Sequence, residues 1–200
     1  KTFPDYMRIL SKAAGQEISD FSSLMGALEK RLAFFAEFGT TVSDNGIAHI
    51  AWEDYTAAQV EDIFRKAAAG ERLSREAINR YKSAFLIEMA KLYKKYNFVM
   101  QLHIGTYLDA NHRKVREIGQ STGFDCVDDS TAVKSVGQIL DRLTELDHLP
   151  KTILYPLNPA QMEPFAVLAA GFCDGMVRGK VQLGAPWWFN DQLGDRKSVV

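Results

Sequence analysis

The sequence has few cysteines, no excess of charge of either sign and no long apolar run, and each shortage excludes a class of protein. Two cysteines, Cys126 and Cys173, make neither a disulfide framework nor a zinc-type cluster. A net charge of −1 at pH 7 argues against nucleic-acid binding through phosphate neutralisation. Because no apolar run approaches the roughly 20 residues that span a bilayer, no membrane partner is expected. Two reduced thiols predict a cytoplasmic protein.

The remaining composition is that of an ordered globular protein. Hydrophobic residues make up 46 % of the chain, and 200 residues are enough to bury one sizeable core. Repeats, low-complexity tracts and flexible linkers are absent from the sequence. We therefore predict a single domain over residues 1–200, with a helix-rich portion over 1–97 and three further β/α units over 98–191.

Hydrophobic spacing and capping residues divide the chain into alternating helices and strands. Helices are predicted after Asp20 to about Gly39, after Thr56 to Gly70, after Ser74, after Asn111, near 131–146 and over 160–170. Short apolar strands are predicted near 40–43, over 98–104, over 152–155 and over 180–183. The first strand is expected to run into a turn at Asp44-Asn45-Gly46.

Helices that alternate with strands predict an α/β fold, in which a parallel sheet has its helices outside. Strands this short and continuously apolar are expected to be buried on both faces. Four such strands leave two architectures open, a small open sheet and a part of a (β/α)8 barrel. A complete barrel typically takes about 250 residues, so this chain is too short to hold one.

Two of the predicted strands deliver polar or aromatic side chains at their carboxyl ends. The strand over 98–104 carries His103 and is followed by Gly105. The strand over 180–183 is followed by a segment that contains Trp187, Trp188, Asn190 and Asp191. Barrels of parallel strands present catalytic groups at this end, and an imidazole titrates near neutral pH, so the pattern indicates an enzyme. The alternative for His103 is a core histidine bonded to the backbone.

Met100-Gln-Leu-His-Ile-Gly105 and Trp187-Trp-Phe-Asn-Asp191 resemble segments of the uronate isomerase family, also called glucuronate isomerases, which belongs to the amidohydrolase superfamily of (β/α)8 barrels. Four further motifs extend the resemblance along most of the chain, namely Ser43–Gly46, Thr122–Asp125, Pro150–Pro159 and Gly179–Gly184, which precedes the double tryptophan. In the first of them, Asn45 stands where the family has a histidine. Together and in this order the motifs are highly specific, whereas any one of them alone is weak.

The resemblance implies that the chain is the central part of the barrel, its fourth to seventh strands with their helices. The family's His-x-His motif has no counterpart among the four histidines, and its Asp-Ser-Arg motif is also absent. A divalent metal, zinc or manganese, is implied as a cofactor, with His103 as a candidate ligand and the other ligands outside this chain. Open sheet edges favour pairing with a second copy, so a homo-oligomer is expected.

The resemblance also implies a role for each candidate site residue. His103 faces the substrate or the metal and is the catalytic group. Asp44 is expected to bond sugar hydroxyls, with an Asx turn as the alternative. Asn111 and Arg113 are expected to bind the uronate, because arginine binds carboxylates in a bidentate manner. The alternative for Arg113 is a solvated residue on a helix.

The aromatic segment is implied to bind the sugar. An indole ring packs against the C–H face of a sugar, and its N–H donates a hydrogen bond. Because neighbours on an extended chain point opposite ways, one of Trp187 and Trp188 is expected in the pocket. The alternative to sugar binding is a tryptophan that fills the barrel mouth or packs under a helix. Asn190 and Asp191 either bond the substrate or cap the next helix.

The implied activity is aldose–ketose isomerisation of a hexuronate sugar, which converts D-glucuronate to D-fructuronate and galacturonate to tagaturonate. A base removes the C2 proton of the open-chain aldehyde, an enediol forms, and a proton returns at C1. Two alternatives stay open. One is a metal-dependent hydrolase of the same superfamily, which uses metal-bound hydroxide. The other is a catalytically silent barrel fragment that acts only in folding or oligomerisation.

Overall fold

The computed structural model describes residues 2–130 and 132–185, and within these ranges helices alternate with strands as the sequence predicts. The elements are α1 Phe3–Ala14, α2 Phe21–Glu37, β1 Val42–Ile47, α3 Ala57–Ala68, α4 Arg75–Lys95, β2 Val99–Ile104, β3 Thr106–Tyr107, α5 His112–Ile118, β4 Cys126–Val127, α6 Val133–Glu145, β5 Thr152–Pro156, α7 Met162–Ala170 and β6 Val181–Leu183. None of the helices in these ranges combines the length and the apolar character that a bilayer crossing requires.

These elements fall into two compact units. The helical unit comprises Lys1–Thr41, Ala51–Phe98 and Arg142–Leu149, and the sheet unit comprises Val42–Ile50, Val99–Asp141 and Pro150–Val200. The helical unit contains α1 to α4 and the end of α6. The sheet unit contains the six strands of the described residues, together with α5, α7 and most of α6. A single domain over residues 1–200 stays a prediction.

Side-chain caps set the starts of three helices at the residues that the sequence predicts. Asp20, Thr56 and Ser74 each accept the N–H of the residue three positions on, at 2.7, 3.3 and 3.1 Å. α1 is a helix that the sequence analysis missed. Its start does carry a sequence pattern, because Thr2 forms a capping box with Asp5 and a proline lies in the first turn.

Asp20→Ala is expected to lower the free energy of unfolding by about 1 kcal/mol at neutral pH, whereas Asp20→Asn, which caps a helix equally well, costs little. Hydrogen bonds from the Ser23 hydroxyl and then its amide hold the pKa of Asp20 below the usual 3.8. A lowered folded-state pKa stabilises above the unfolded value, and this contribution is lost as the pH falls through the folded value. Urea unfolding at neutral and acid pH measures both effects. The wild type should lose stability relative to Asp20→Asn below pH 3.8, and a constant difference would contradict the expected pH dependence.

The helical unit has a hydrophobic core of its own. Its buried members are Met7, Ile18, Phe21, Leu24, Ala27, Val60, Phe64 and Ala84. Phe64 of α3 is fully buried, and the partly buried Phe3 of α1 meets its ring edge-on, with 5.6 Å between ring centroids. This edge-to-face arrangement is one that aromatic pairs prefer, so it stabilises the packing of α1 on α3.

Four strands of the sheet unit form one sheet in the order β1-β2-β5-β6, and every neighbouring pair is parallel. The register places Gly46, His103 and Tyr155 side by side on β1, β2 and β5. α7 packs against β5 and β6. This arrangement confirms the predicted α/β class with a parallel sheet.

The turn predicted at Asp44-Asn45-Gly46 is wrong, because these residues continue β1. The strand was predicted near 40–43, and it ends instead at Ile47. The Asn45 side-chain amide donates to the Gln101 carbonyl at 2.9 Å, and Gly46 does not have the positive φ that the tightest turns need. Parallel pairing along the whole of β2 therefore outweighs the local turn preference.

The expectation that the strands are buried on both faces is also wrong for the described residues. Along β2, Met100, Leu102 and Ile104 are buried, whereas Gln101 and His103 are half-buried. β5 shows the same alternation. In a closed (β/α)8 barrel one face of each strand lies under the helices and the other lines the interior. We therefore call the half-buried face the interior face.

A second sheet, antiparallel and only two strands wide, was not predicted. Tyr107 of β3 pairs with Cys126 of β4, and α5 lies between them in the chain. Strands of two residues are too short for a period-two hydrophobic pattern, so the sequence gives no basis for predicting them. β3 begins directly after Gly105, close to the carboxyl end of β2.

Candidate active site

The interior face carries a linked set of polar and aromatic side chains on neighbouring strands. Asp44 of β1 is in register with Gln101 of β2, and His103 of β2 is in register with Tyr155 of β5. Side chains two positions apart on a strand share a face, so all four point to the same side of the sheet. His103 and Tyr155 lie near the carboxyl ends of their strands, where barrel enzymes place their chemistry.

Asp44 and His103 form a hydrogen-bonded pair. Asp44 Oδ1 lies 2.6 Å from His103 Nδ1, although 59 residues separate the two in the chain. The His103 side chain is 12 % exposed, whereas that of Asp44 is 64 % exposed. Because a carboxylate accepts, the ring hydrogen lies on Nδ1, and Nε2 is the basic nitrogen of the neutral imidazole. The arrangement fixes both the tautomer and the orientation of the ring, as an acid–base group requires.

Tyr155 packs against the face of the His103 ring. Its ring stacks on the imidazole of His103, with 4.4 Å between centroids and 21° between planes. The Gln101 side-chain amide donates to the Tyr155 hydroxyl at 3.1 Å. The four side chains therefore form one chain of contacts, from Asp44 through His103 and Tyr155 to Gln101.

Gly105 turns the backbone directly after β2. Its φ of 91° lies in the region that favours glycine. Its N–H donates to the Ile47 carbonyl at 3.1 Å, and its carbonyl accepts from the Asp128 N–H at 2.8 Å. The ends of β1 and β2 are thereby tied to the loop before α6. In that loop, hydrogen bonds from the Ser130 amide and hydroxyl hold the pKa of Asp128 below its usual value.

Asn111 and Arg113 have local partners on α5. Asn111 is the N-cap of this helix, and its Oδ1 accepts from the Lys114 N–H at 3.2 Å. The Arg113 side chain is 82 % exposed and pairs with Glu117 at 3.1 Å. These contacts match the alternative of a solvated helix residue for Arg113. A role of either residue toward a carboxylate stays a prediction.

The predicted sugar-binding segment lies outside the described residues. Trp187, Trp188, Asn190 and Asp191 all fall beyond residue 185, where the description ends. Of the predicted site residues that the structure describes, Asp44 and His103 lie in contact with each other. Their roles toward a substrate stay predictions.

The described part of the chain does not by itself form a metal site. No three His, Cys, Asp or Glu side chains converge within residues 2–130 and 132–185. A catalytic zinc takes three protein ligands, and the interior face offers one imidazole with a carboxylate that orients it. Such a carboxylate behind a histidine is common where the imidazole binds a metal. The residues present therefore do not complete a ligand set.

Two clefts in the described part of the helical unit have volumes of about 490 and 280 Å³. The larger is lined mostly by apolar side chains, among them Phe3, Ile63 and Tyr81. Neither cleft is lined by Asp44 or His103.

Tyr155 and Gln101 are members of the site that sequence reasoning missed. A weak pattern was present, because Gln101 and His103 are two positions apart on a strand and so share a face. Tyr155 joins them only through the register between β2 and β5, which are about 50 residues apart in the chain. Register across a parallel sheet cannot be read from one sequence.

Comparison with known proteins gives a consistent result along the chain. A sequence model of a family described as glucuronate isomerase matches residues 1–197. The uronate isomerase of Lachnospira eligens is 38 % identical over 187 residues, which is 94 % of this chain and 40 % of that protein. The uronate isomerase of Clostridium perfringens is 40 % identical over 190 residues, or 95 % of this chain and 41 % of that protein. The chain thus spans about two fifths of the length of the curated relatives it matches.

Solved structures confirm the fold. Uronate isomerase from Thermotoga maritima matches with a TM-score of 0.83 and 27 % identity, over 96 % of this chain and 41 % of that one. Glucuronate isomerase from Caulobacter crescentus matches with a TM-score of 0.80 and 26 % identity, over 93 % and 37 %. The predicted fold, a part of a (β/α)8 barrel, is confirmed. The assignment to the fourth to seventh barrel strands stays a prediction.

Proposed function

The chain belongs to the glucuronate isomerase family, and on this premise we propose that the protein isomerises a hexuronate, converting D-glucuronate to D-fructuronate and galacturonate to tagaturonate. The observation that carries the proposal is the Asp44–His103 pair on the interior face, stacked against Tyr155. Because the chain spans about two fifths of its curated relatives, the activity is proposed for the full-length protein.

The proposed reaction moves a proton between two neighbouring carbons. A base removes the proton at C2 of the open-chain aldehyde, the electron pair forms a C1–C2 double bond, and the C1 oxygen gains a proton. The resulting enediol loses its O2 proton and gains one at C1, which gives the ketose. No oxidant is needed, because C1 is reduced as C2 is oxidised. Acid–base groups positioned at the two carbons and their oxygens are what the step requires.

His103 is proposed to act at the reacting end of the sugar. Its Nε2 is suited to exchange a proton with the substrate oxygens while Asp44 holds the hydrogen of Nδ1. The base that removes the carbon-bound proton is proposed to lie outside this chain. Asp44 is mostly exposed, so its second oxygen is suited to accept from sugar hydroxyls.

Recognition of the sugar is proposed to involve residues beyond the central pair. One of Trp187 and Trp188 is proposed to pack on the sugar face, with Asn190 and Asp191 nearby. Arg113 is proposed to bind the carboxylate, for which it would have to leave Glu117. An exposed ion pair of this kind contributes little to stability, so Arg113 can exchange Glu117 for a carboxylate that it binds in a bidentate manner.

A metal, an assembly and a location complete the proposal. A divalent ion, zinc or manganese, is proposed through the family, with its other ligands outside this chain. His103 is the candidate ligand within the chain, and Nε2 would then bind the ion instead of exchanging a proton with the substrate. For the 200-residue chain alone, a homo-oligomer is proposed because β1 and β6 are edge strands of the described sheet. A cytoplasmic location is proposed because both cysteines are unpaired and exposed.

Ketose formation from D-glucuronate and D-galacturonate by the full-length protein, with zinc or manganese added, tests the proposal. The expected result is accumulation of the matching ketose, without hydrolysis of esters or amides. Hydrolysis without isomerisation would favour a hydrolase of the same superfamily. Neither activity in the full-length protein would reject the proposal. Turnover by the 200-residue chain alone would exclude a silent fragment.

A further inference from the structure

Gly184 lies against the ring of Tyr155. It follows β6, and its N–H donates to the Leu154 carbonyl of β5 at 2.8 Å, which continues the pairing of the two strands. A Cβ at position 184 would overlap Cε1 and Cδ1 of Tyr155 and lie 2.7 Å from Cζ. Only a residue without a side chain therefore fits beside this ring. No positive φ is involved, so space and not backbone conformation demands glycine here.

The Tyr155 ring has a neighbour on each side. β5 lies between β2 and β6 in the sheet, with His103 on the β2 side and Gly184 on the β6 side. The Gln101 amide holds the Tyr155 hydroxyl at 3.1 Å, so the ring has little freedom to tilt away. A side chain at position 184 would therefore push the ring toward the imidazole of His103.

We propose that Gly184 and Tyr155 are positioning residues for His103, with the bare backbone of Gly184 setting where the Tyr155 ring lies and the ring setting the plane of the imidazole. Asp44 fixes one edge of that imidazole through Nδ1, and Tyr155 fixes its face. The link to catalysis rests on the proposed isomerase function. The geometric part does not, because it concerns only how one side chain holds another.

Gly184→Ala in the full-length protein tests the proposal. With histidine labelled by ¹³C at Cε1, the His103 resonance is identified by its loss in His103→Gln. A ring-current shift depends steeply on the position of the neighbouring ring, so Gly184→Ala is expected to move this resonance. In the isomerase assay, kcat is expected to fall roughly tenfold, with a smaller change in KM. This size follows from the free energy of one aromatic ring contact, which corresponds to a factor of up to about ten in the population of the held geometry.

Two further variants cover the case in which Gly184→Ala fails to fold. Tyr155→Leu removes the ring without introducing an overlap, and it is expected to move the resonance and lower kcat in the same way. Tyr155→Phe keeps the ring, and it is expected to leave the resonance close to that of the wild type. Gly26→Ala is the matched control for folding and for the resonance, because Gly26 lies in α2 of the helical unit and a Cβ there meets only Gln16 Nε2, at an ordinary contact distance of 3.6 Å.

The double variant Gly184→Ala/Tyr155→Leu separates positioning from packing. It relieves the overlap, so the thermal midpoint is expected to recover, whereas kcat is expected to stay low because the ring is still missing. Full recovery of kcat, or an unmoved His103 resonance in both folded single variants, would overturn the proposal. Absence of isomerase activity in the wild type would reject the proposed function, and the resonance would still decide the positioning.

Discussion

Replacing His103 by glutamine is expected to lower kcat/KM for hexuronate isomerisation on the order of 10³-fold while the protein stays folded. A positioned acid–base group typically contributes between about 10² and 10⁴ in rate, and a glutamine amide cannot exchange a proton near neutral pH. Glutamine can still bond Asp44, so the sheet around it should be kept. Ketose formation under steady-state conditions, with circular dichroism as the check on folding, measures the effect.

A matched control is available in the same chain. His148→Gln makes the same exchange at an exposed histidine of the helical unit, and it is expected to leave kcat/KM unchanged. Asp44→Asn is also expected to lower kcat/KM, because an amide can donate to Nδ1 and so favour the wrong tautomer of His103. The loss is expected to be smaller than in His103→Gln, since the imidazole itself is kept. Near-wild-type activity in His103→Gln would contradict an acid–base role for this residue.

The parts of the fold that the sequence predicts are those set by local interactions. Asp20, Thr56 and Ser74 are caps in the structure because a cap bonds only three residues along the chain. The order of helices and strands follows from the same short-range patterns, and the parallel sheet follows from that order. The α1 helix was missed although its start carries a local pattern of the same kind, the capping box of Thr2 and Asp5.

The parts that could not be predicted depend on pairing between distant residues. Asp44 reads as a turn residue within its own segment, and pairing with β2 makes it a strand residue. Asp44 and His103 could each be proposed from the sequence, but their hydrogen bond spans 59 residues and depends on register. Tyr155 was missed for the same reason, because its stacking on His103 follows from the pairing of β2 with β5.

The second prediction with a large effect concerns packing in the core of the helical unit. Phe64→Ala is expected to lower the free energy of unfolding of the full-length protein by about 3–5 kcal/mol. Phe64 is 0 % exposed, so truncation removes a whole ring and leaves a cavity in the core of the helical unit. The edge-on contact with Phe3 is lost as well. The midpoint of urea unfolding, at unchanged slope, measures the loss.

Phe38 provides the matched control, since it carries the same side chain in the same unit but is 74 % exposed. Phe38→Ala is expected to lower the free energy of unfolding by no more than about 1.5 kcal/mol, because its ring contacts only that of Phe34 among the described aromatic pairs, with 4.8 Å between centroids. A loss of 3–5 kcal/mol is a large part of a typical total stability of about 5–15 kcal/mol, so Phe64→Ala can unfold the protein outright. Phe64→Leu, which fills most of the cavity, then gives a smaller loss on a protein that still folds. Equal losses for Phe64→Ala and Phe38→Ala would mean that burial in the helical unit does not set its stability.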